Sequence, residues 1–296
     1  MNDWVVGSLG VTGALIVAVG IGWAGGTHSV ALQGWPIFVL CGVFAFLVQW
    51  IVFVHAWINH SELYYDLTGS LTYMVMVVAG AVLVGATDLR SLVLVGLILI
   101  WALRLGPFLF FRARNAGEDR RFRKIKHSFP LFFMTWTLQG TWVFVTACCA
   151  LAAITAAHSV PVSTPFWIGL ALWVFGFAIE VVADRQKSAF RSNPDNAYRF
   201  ISTGLWAWSR HPNYFGEIVL WLGIAVMSYP VLVGWQLLTL ISPLFVVVLL
   251  TFISGVRMLE ARAQKTWGDE PDYQAYKRST PTLMLWPPRR RAAPND

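Results

Sequence analysis

The chain has 296 residues, of which 57% are hydrophobic, 15% aromatic and only 12% charged, and its mean hydropathy is +0.60. This composition excludes a disordered chain and is more apolar than that of a soluble domain, so a membrane protein is predicted. The net charge is +7, from 22 Lys and Arg against 15 Asp and Glu. Because these charges lie in short blocks between apolar stretches, they indicate membrane topology, and no nucleic-acid partner is predicted.

Apolar stretches of membrane-spanning length follow one another along the chain. A helix needs about 20 mostly apolar residues to cross a bilayer. By that measure eight segments are candidates: residues 5–24, 37–58, 71–86, 92–111, 131–157, 166–183, 214–229 and 231–254. Since the third and seventh are short, the prediction is an all-α, polytopic integral membrane bundle of seven or eight transmembrane helices. No Lys or Arg precedes the first stretch and no clear cleavage site follows it, so it is expected to be retained.

Basic residues are concentrated in three blocks: residues 112–126, residues 184–211, and a tail from Arg257 that ends in an arginine triplet at residues 289–291. Loops rich in Lys and Arg stay on the cytoplasmic side and contact anionic membrane lipid. With eight spans, both termini and all three blocks are therefore expected to be cytoplasmic. Because no repeat or linker divides the chain, residues 1–296 are predicted to form a single membrane domain.

Two patterns that suggest other chemistry are set aside. Gly20, Gly22 and Gly25 match the dinucleotide-binding pattern GxGxxG, but they end an apolar span and no strand precedes them, so helix packing is favoured. His55 and His60 lie five residues apart without a carboxylate on the same helical face. No metal site is predicted from them.

The densest polar segment, residues 184–217, reads DRQKSAFRSNPDNAYRFISTGLWAWSRHPNYFGE. Its start continues the sixth span and its end leads into the seventh. Arg210 and His211 then lie at a helix N-terminus, where cationic side chains and free backbone N–H groups form a receptor for phosphate or carboxylate. Glu217 follows Asn213 by four residues, so both project from one helical face, which is expected to point into the bundle.

The run SRHPNYFGE, followed by Trp221, resembles the signature of the membrane steroid 5-alpha-reductase family, in its bacterial branch. The segment NHSELYYDLTGSLTY at residues 59–73 fits the same pattern. The upstream residues that also fit are Asp184, Arg185, Gln186, Arg191, Tyr198, Arg199 and the Gly204-Leu205-Trp206 step. The resemblance covers most of the chain after about residue 55 and implies a bacterial inner-membrane protein.

The resemblance implies an NADPH-dependent reduction of the carbon–carbon double bond of a lipophilic conjugated enone, such as a 3-oxo-4-ene steroid, by hydride transfer to the β carbon. It assigns substrate and proton donor to residues 55–111 and NADPH to residues 165–296. These residue types suit the cofactor because arginines pair phosphates, Asn and Glu recognise a carboxamide, and aromatic rings cover a base. The implied cofactor-binding residues are Asp184, Arg185, Arg191, Tyr198, Arg199, Trp208, Arg210, His211, Asn213, Tyr214, Glu217 and Arg257.

The reaction also needs an acid that hydrogen-bonds the ketone as enolate charge develops. The catalytic candidates are Glu62, Tyr65 and Asp66; Asp66 is favoured because it begins a span. Burial beside an apolar substrate would keep such a carboxyl protonated. The family's tyrosine is expected shortly before Arg104, where this chain has isoleucine and tryptophan, so Tyr65 or Tyr73 is left for that role. The alternative is that these residues form an interfacial cap.

Two other functions stay open. Isoprenylcysteine carboxyl methyltransferases and their bacterial relatives also use an Arg-His-Pro-x-Tyr turn, and the tail at residues 260–286 resembles theirs. S-adenosylmethionine would then replace NADPH. The second alternative is a non-catalytic lipid-binding or transport protein, although no inverted repeats or matching broken helices are evident. Asn213, Glu217 and the DLTGSLTY segment favour the reductase.

Overall fold

A computed structural model describes residues 2–116 and 121–287. Eight helical segments of this part are long and apolar enough to cross a membrane, which confirms the all-α fold class and supports an integral membrane protein. Apart from one hairpin of two short strands, Ala31–Leu32 and Trp35–Pro36, the elements of this part are helical. The α-helices are α1 (Asp3–Gly26), α2 (Ile37–Ile58), α3 (Tyr65–Val84), α4 (Leu89–Ala116), α5 (Phe129–Ile154), α6 (Thr164–Ser192), α7 (Pro212–Ser228), α8 (Ile241–Val248), α9 (Val256–Trp267) and α10 (Pro271–Ser279). Residues 117–120 of the first basic block and the triplet at 289–291 lie outside the described residues.

The chain divides into two compact units. Unit 1 comprises Met1–Trp167 and Ile224–Ser242, and unit 2 comprises Ile168–Gly223 and Pro243–Asp296. The three catalytic candidates belong to unit 1, and all the cofactor-binding candidates belong to unit 2.

Helix α5 forms the centre of unit 1, where it packs against α1, α2 and α3. Every residue from 143 to 154 is buried. Polar side chains join the helices: Gln49 Nε2 donates to Thr72 Oγ1 at 2.9 Å, and Gln139 Nε2 donates to the Tyr65 carbonyl oxygen at 2.6 Å. Such bonds satisfy polar groups that lipid cannot satisfy, so they stabilise the helix contacts inside a bilayer.

The third span differs from its prediction. Instead of the short stretch 71–86, helix α3 has 20 residues and begins at Tyr65. Hydropathy missed its first turns because they contain Asp, Thr, Gly and Ser. Within the helix these groups find partners: Thr68 Oγ1 donates to the Tyr64 carbonyl oxygen and Thr72 Oγ1 to that of Thr68, both at 2.7 Å. A hydroxyl that bonds its own helix backbone can enter an apolar setting.

The eighth predicted span, residues 231–254, overlaps the span candidate Gly234–Trp267, but its helix is not regular. The segment consists of a 3-10 helix at Gly234–Leu240, helix α8 and a π-helix at Leu249–Ile253. Local π-helical turns interrupt the normal hydrogen-bond ladder and are frequent at functional sites. The seventh span is short as predicted, since α7 has 17 residues.

Glycines bring α6 and α7 of unit 2 close together. A Cβ added to Gly216 would lie 2.5 Å from the carbonyl oxygen of Gly176 and 2.7 Å from the backbone nitrogen of Glu180. Two turns further, a Cβ added to Gly223 would lie 2.5 Å from the carbonyl oxygen of Gly169. The backbones are therefore in contact, as in small-residue packing of membrane helices, and no larger side chain fits.

Two features of the sequence have a structural explanation. The glycines of the GxGxxG match lie within α1, so they do not form a phosphate-binding loop. The three cysteines, Cys41, Cys148 and Cys149, are free thiols and are at most 5% exposed. Their apolar surroundings agree with a packing role.

Candidate functional site

Each candidate carboxylate of unit 1 faces a cation from the first basic block. Glu62 Oε2 lies 3.1 Å from Lys126 Nζ, and these side chains are 9% and 15% exposed. Asp66 Oδ2 lies 3.7 Å from Arg121 Nη2, and Arg121 is 35% exposed. Because longer, solvent-exposed pairs contribute little to stability, the Asp66 pair opens at lower cost than the Glu62 pair.

Tyr65 connects α3 to α5. Its hydroxyl donates to the carbonyl oxygen of Thr135 at 3.0 Å. Its ring makes edge contacts with Phe122 and Trp136, so the side chain is buried. The next residue, Asp66, lies in the first turn of α3, where the helix dipole favours a negative charge. The hydroxyl of Tyr65 is thus occupied by a hydrogen bond to α5 and its ring is packed between helices. Asp66 is the charged group in the first turn of α3.

The second tyrosine left open by the sequence, Tyr73, is also buried. Its ring lies edge-to-face on Trp101, with centroids 5.2 Å apart and an interplanar angle of 90°. Ile100 and Trp101 stand where the resemblance implies a tyrosine. Of the two open tyrosines, Tyr73 is therefore the one that contacts this place, and its hydroxyl lies 3.5 Å from the Trp142 carbonyl oxygen.

In unit 2, a turn docks the segment before α7 onto α6. Gly204 has φ +61°, a left-handed conformation that glycine adopts without strain. The backbone nitrogen of Leu205 donates to Gln186 Oε1 at 2.9 Å, and Trp206 Nε1 donates to the Ala183 carbonyl oxygen at 3.1 Å. These bonds fix the start of the segment that leads to the Arg-His pair.

One carboxylate of α9 bridges the Arg-His pair at the start of α7. Glu260 Oε1 lies 2.9 Å from His211 Nε2, and Glu260 Oε2 lies 3.1 Å from Arg210 Nη1. The side chains of His211 and Arg210 are only 7% and 10% exposed. The His211 ring also stacks on Tyr214, with centroids 5.7 Å apart. The three ionisable groups thus form a compact, largely buried cluster.

Burial determines the protonation of His211. It lowers the pKa of the imidazole below its ordinary value; Glu260 opposes this shift, and Lys187 and Arg210 reinforce it. A neutral imidazole next to a carboxylate must donate through Nε2, because a carboxylate only accepts. Nδ1 then carries a lone pair, and it is buried with no hydrogen-bond partner among residues 2–116 and 121–287.

A C-terminal segment, residues 280–286, runs along the same turn, and we call it the strap. Arg210 also donates through its side chain to Thr282 Oγ1. Three further donors join the strap and the turn. Arg210 N donates to Pro281 O at 2.9 Å and Trp286 N to Trp208 O at 3.0 Å. Ser209 Oγ lies 2.9 Å from Leu283 O and 3.4 Å from Thr282 O. The geometry of the Arg-His pair therefore depends on the tail.

The predicted cofactor residues fall into two groups by burial, all within unit 2. The buried or half-buried ones are Asp184, Arg210, His211, Asn213, Tyr214 and Glu217. The exposed ones are Arg185, Arg191, Tyr198, Arg199, Trp208 and Arg257. Asp184, Arg185 and Arg191 belong to α6 rather than to a loop, since that helix continues to Ser192.

Sequence reasoning missed Glu260 and the strap. Glu260 lies 49 residues from His211 in the chain, and no periodic pattern connects the two. The available signal is an acidic residue one helical turn after Arg257, in a helix whose other charged residues are all basic. The strap carries no charge, so its sequence offered no sign of its hydrogen bonds.

The chain is similar to several known proteins. A family model described as "Protein of unknown function (DUF1295)" matches residues 49–280. An uncharacterized protein of Schizosaccharomyces pombe is 27% identical over 161 residues, which are 45% of this chain and 46% of that protein. The 3-oxo-5-alpha-steroid 4-dehydrogenase 1 of Bos taurus is 34% identical over 70 residues, 24% of this chain and 27% of that protein. Steroid 5-alpha-reductase DET2 of Gossypium hirsutum is 38% identical over 64 residues, 22% of this chain and 25% of that protein. The chain thus spans less than half the length of these relatives.

Proposed function

The chain belongs to the DUF1295 family, which is part of the steroid 5-alpha-reductase-like group, and we propose that it is an NADPH-dependent reductase of lipophilic conjugated enones. The proposed reaction reduces the carbon–carbon double bond of a substrate such as a 3-oxo-4-ene steroid. Short similarities to steroid 5-alpha-reductases support an oxidoreductase that acts on CH–CH groups. The observation that carries the proposal is this similarity, and the cluster of Arg210, His211 and the half-buried Glu260 at the start of α7 offers charged and hydrogen-bonding groups to a nucleotide.

The residue types of unit 2 fit a phosphorylated dinucleotide. Arginines bind phosphates through charge-assisted, bidentate hydrogen bonds, and a 2′-phosphate adds to the need for them. The exposed rings of Tyr198 and Trp208 can stack on a base, and the unpartnered His211 Nδ1 is a hydrogen-bond acceptor. When bound, NADPH supplies the hydride. The arginines that would hold its phosphates are Arg185, Arg191, Arg199 and Arg257.

Asp66 is the proposed acid at the substrate ketone. Its contact with Arg121 is long and partly exposed, so the carboxyl can leave this partner at small cost. An apolar substrate that excludes water favours the protonated carboxyl, which then donates a hydrogen bond to the ketone oxygen. We assign Tyr73 to the second hydrogen bond at the ketone. Glu62, held more closely by Lys126, is the alternative acid.

We further propose a bacterial inner-membrane location with the termini and the basic blocks in the cytoplasm. The support for this orientation is the distribution of Lys and Arg. Cytoplasmic basic blocks would give the cofactor-binding residues access to the cellular NADPH pool.

The test is mass spectrometry of small molecules retained by the detergent-purified full chain, followed by titration with NADPH, NADH and S-adenosylmethionine. Retained NADP(H), preference for NADPH and enone-dependent NADPH oxidation are expected. Binding of S-adenosylmethionine without NADPH would overturn the proposal in favour of a methyltransferase, and binding of neither would favour a lipid-binding protein.

A matched pair of variants tests the phosphate contacts. Arg257 and Arg262 are both exposed arginines of α9, but only Arg257 belongs to the predicted cofactor set. Arg257→Gln is expected to weaken NADPH binding and Arg262→Gln to leave it unchanged. Equal effects of the two substitutions would argue against a specific phosphate contact at Arg257.

A further inference from the structure

We propose that Glu260 is a positioning residue that fixes His211 in the Nε2–H tautomer, so that Nδ1 accepts a hydrogen bond from an N–H or O–H group of the bound nucleotide. The identity of that ligand rests on the proposed function. The tautomer does not, because it follows from contacts within unit 2. The inference changes the expected role of His211 from a cation for phosphate to a neutral acceptor.

The geometry leaves the Glu260 carboxylate little freedom. One oxygen lies 2.9 Å from His211 Nε2 and the other 3.1 Å from Arg210 Nη1. Rotation of the carboxylate would break both contacts at once. Arg210 is fixed from the opposite side, because its backbone nitrogen donates to Pro281 and its side chain to Thr282 in the strap. The imidazole therefore meets a carboxylate in a constant position.

Burial of the ring favours the neutral form of His211, reinforced by Lys187 and Arg210 and opposed by Glu260. Lys187 and Arg210 face it as cations, Glu260 as the anion, and Tyr214 stacks on it as a neutral ring. Glu260 is itself close to Lys277 and Tyr273. Since Glu260 can only accept, the proton of the neutral ring lies on Nε2 and the lone pair on Nδ1.

A buried lone pair without a partner selects its ligand by chemistry. Nδ1 is buried and has no hydrogen-bond partner in the described part of the chain. An ionised phosphate oxygen, as in the pyrophosphate bridge of a dinucleotide, only accepts hydrogen bonds, whereas a carboxamide N–H, a ribose hydroxyl and a base amino group can donate. Leaving such a donor and acceptor unpaired is costly, so this contact discriminates for a nucleoside moiety and against a bare anion.

The tautomer can be measured directly on the full chain. Ring ¹⁵N shifts of ¹⁵N-histidine-labelled protein in detergent report which nitrogen carries the proton, and the His211 signals are those lost in His211→Gln. If that variant does not fold, substitution of the other histidines one at a time assigns the same signals by elimination. The wild type is expected to show a proton on Nε2 only, near neutral pH and without added nucleotide.

Variants at Glu260 test whether this carboxylate fixes the tautomer of His211. Glu260→Gln offers both a donor and an acceptor, so His211 is expected to show a mixture with Nδ1–H; Glu260→Asp keeps the carboxylate and is expected to restore Nε2–H. Glu270→Gln, which removes an exposed carboxylate outside the cluster, is the control and is expected to leave the spectrum unchanged. A wild-type Nδ1–H or charged His211, or an unchanged tautomer in Glu260→Gln, would overturn the proposal.

Nucleotide binding tests the second part of the proposal, that Nδ1 of His211 accepts a hydrogen bond from the nucleotide. Glu260→Gln is expected to weaken NADPH binding about tenfold, the loss of about one hydrogen bond, and Glu260→Asp to recover most of it. Wild-type affinity is expected to fall on acidification, because a protonated His211 cannot accept. Sulfate, an anion without an O–H group near neutral pH, should not compete at Nδ1. If the wild type binds no NADPH, the proposed function fails while the spectra still decide the tautomer; if Glu260→Gln changes the tautomer but not the affinity, the acceptor role is wrong.

Discussion

The two units use carboxylate–cation contacts in different ways. In unit 1, Asp66 lies 3.7 Å from Arg121, whose side chain is 35% exposed. In unit 2, Glu260 lies within 3.1 Å of both Arg210 and His211, which are nearly buried. An exposed pair contributes about 0–1 kcal/mol and opens easily, whereas breaking the bridge leaves buried groups unpaired. The first arrangement suits a group that exchanges partners during a reaction, and the second suits a group that holds others in place.

The largest effect is expected where unit 1 loses its exchangeable carboxyl. Asp66→Asn should retain NADPH binding but lower kcat with an enone by about 10²–10⁴-fold, the usual range for a general acid. Parallel measurement of kcat and of the NADPH dissociation constant separates the two. Glu62→Gln, which removes the firmly paired carboxylate, is the matched variant and should keep most activity. Reversed effects would make Glu62 the acid, and full activity of both would refute the acid role.

Removal of the strap should damage the fixed cluster of unit 2. Truncation after Ser279 removes the strap partners of four groups of the turn, each hydrogen bond being worth about 1 kcal/mol, so NADPH affinity should fall by up to about 10³-fold. Truncation after Pro287 keeps these partners and serves as the control. Equal affinity of both truncated chains, measured by titration, would show that the strap does not support the turn.

The support of this cluster by α6 and α7 can be tested through a glycine. Gly216→Ala places a methyl group 2.5 Å from the carbonyl oxygen of Gly176 and should destabilise unit 2 by about 1–3 kcal/mol. Gly20→Ala in α1 is the control, since no heavy atom lies within 4 Å of its added Cβ; it should be neutral or slightly stabilising. Thermal unfolding in detergent measures both, and equal Tm values would contradict the close contact.

The smallest effect is expected from pH. Because burial lowers the pKa of His211, the unfolded chain takes up this proton at a higher pH than the folded chain. Stability should therefore decrease as the pH falls below about 6.5, by at most about 1.4 kcal/mol per pH unit, and level off below the folded-state pKa. His211→Gln should reduce this slope of Tm against pH. An identical slope in both proteins would show that another group dominates.

Hydropathy predicted the spans well where lipid alone decides the residue types. Helix α2 has the predicted limits, Ile37–Ile58, because a continuous apolar stretch has no competing explanation. It failed at the start of α3, where Thr68 and Thr72 satisfy their hydroxyls inside the helix. The sequence pattern also gave no sign of the role of Glu260, because an ion pair between residues far apart in the chain produces no periodic pattern.

Because its three cysteine thiols are buried, the natural chain is suitable for labelling experiments without first replacing its cysteines. Cys41, Cys148 and Cys149 are at most 5% exposed, so a membrane-impermeant maleimide should find no intrinsic target in the folded protein. A single cysteine at exposed Ser163 or Ser192 would then be the only reactive position. Labelling of such variants in sealed, oriented vesicles would report on which side of the membrane each position lies, without signal from the native cysteines.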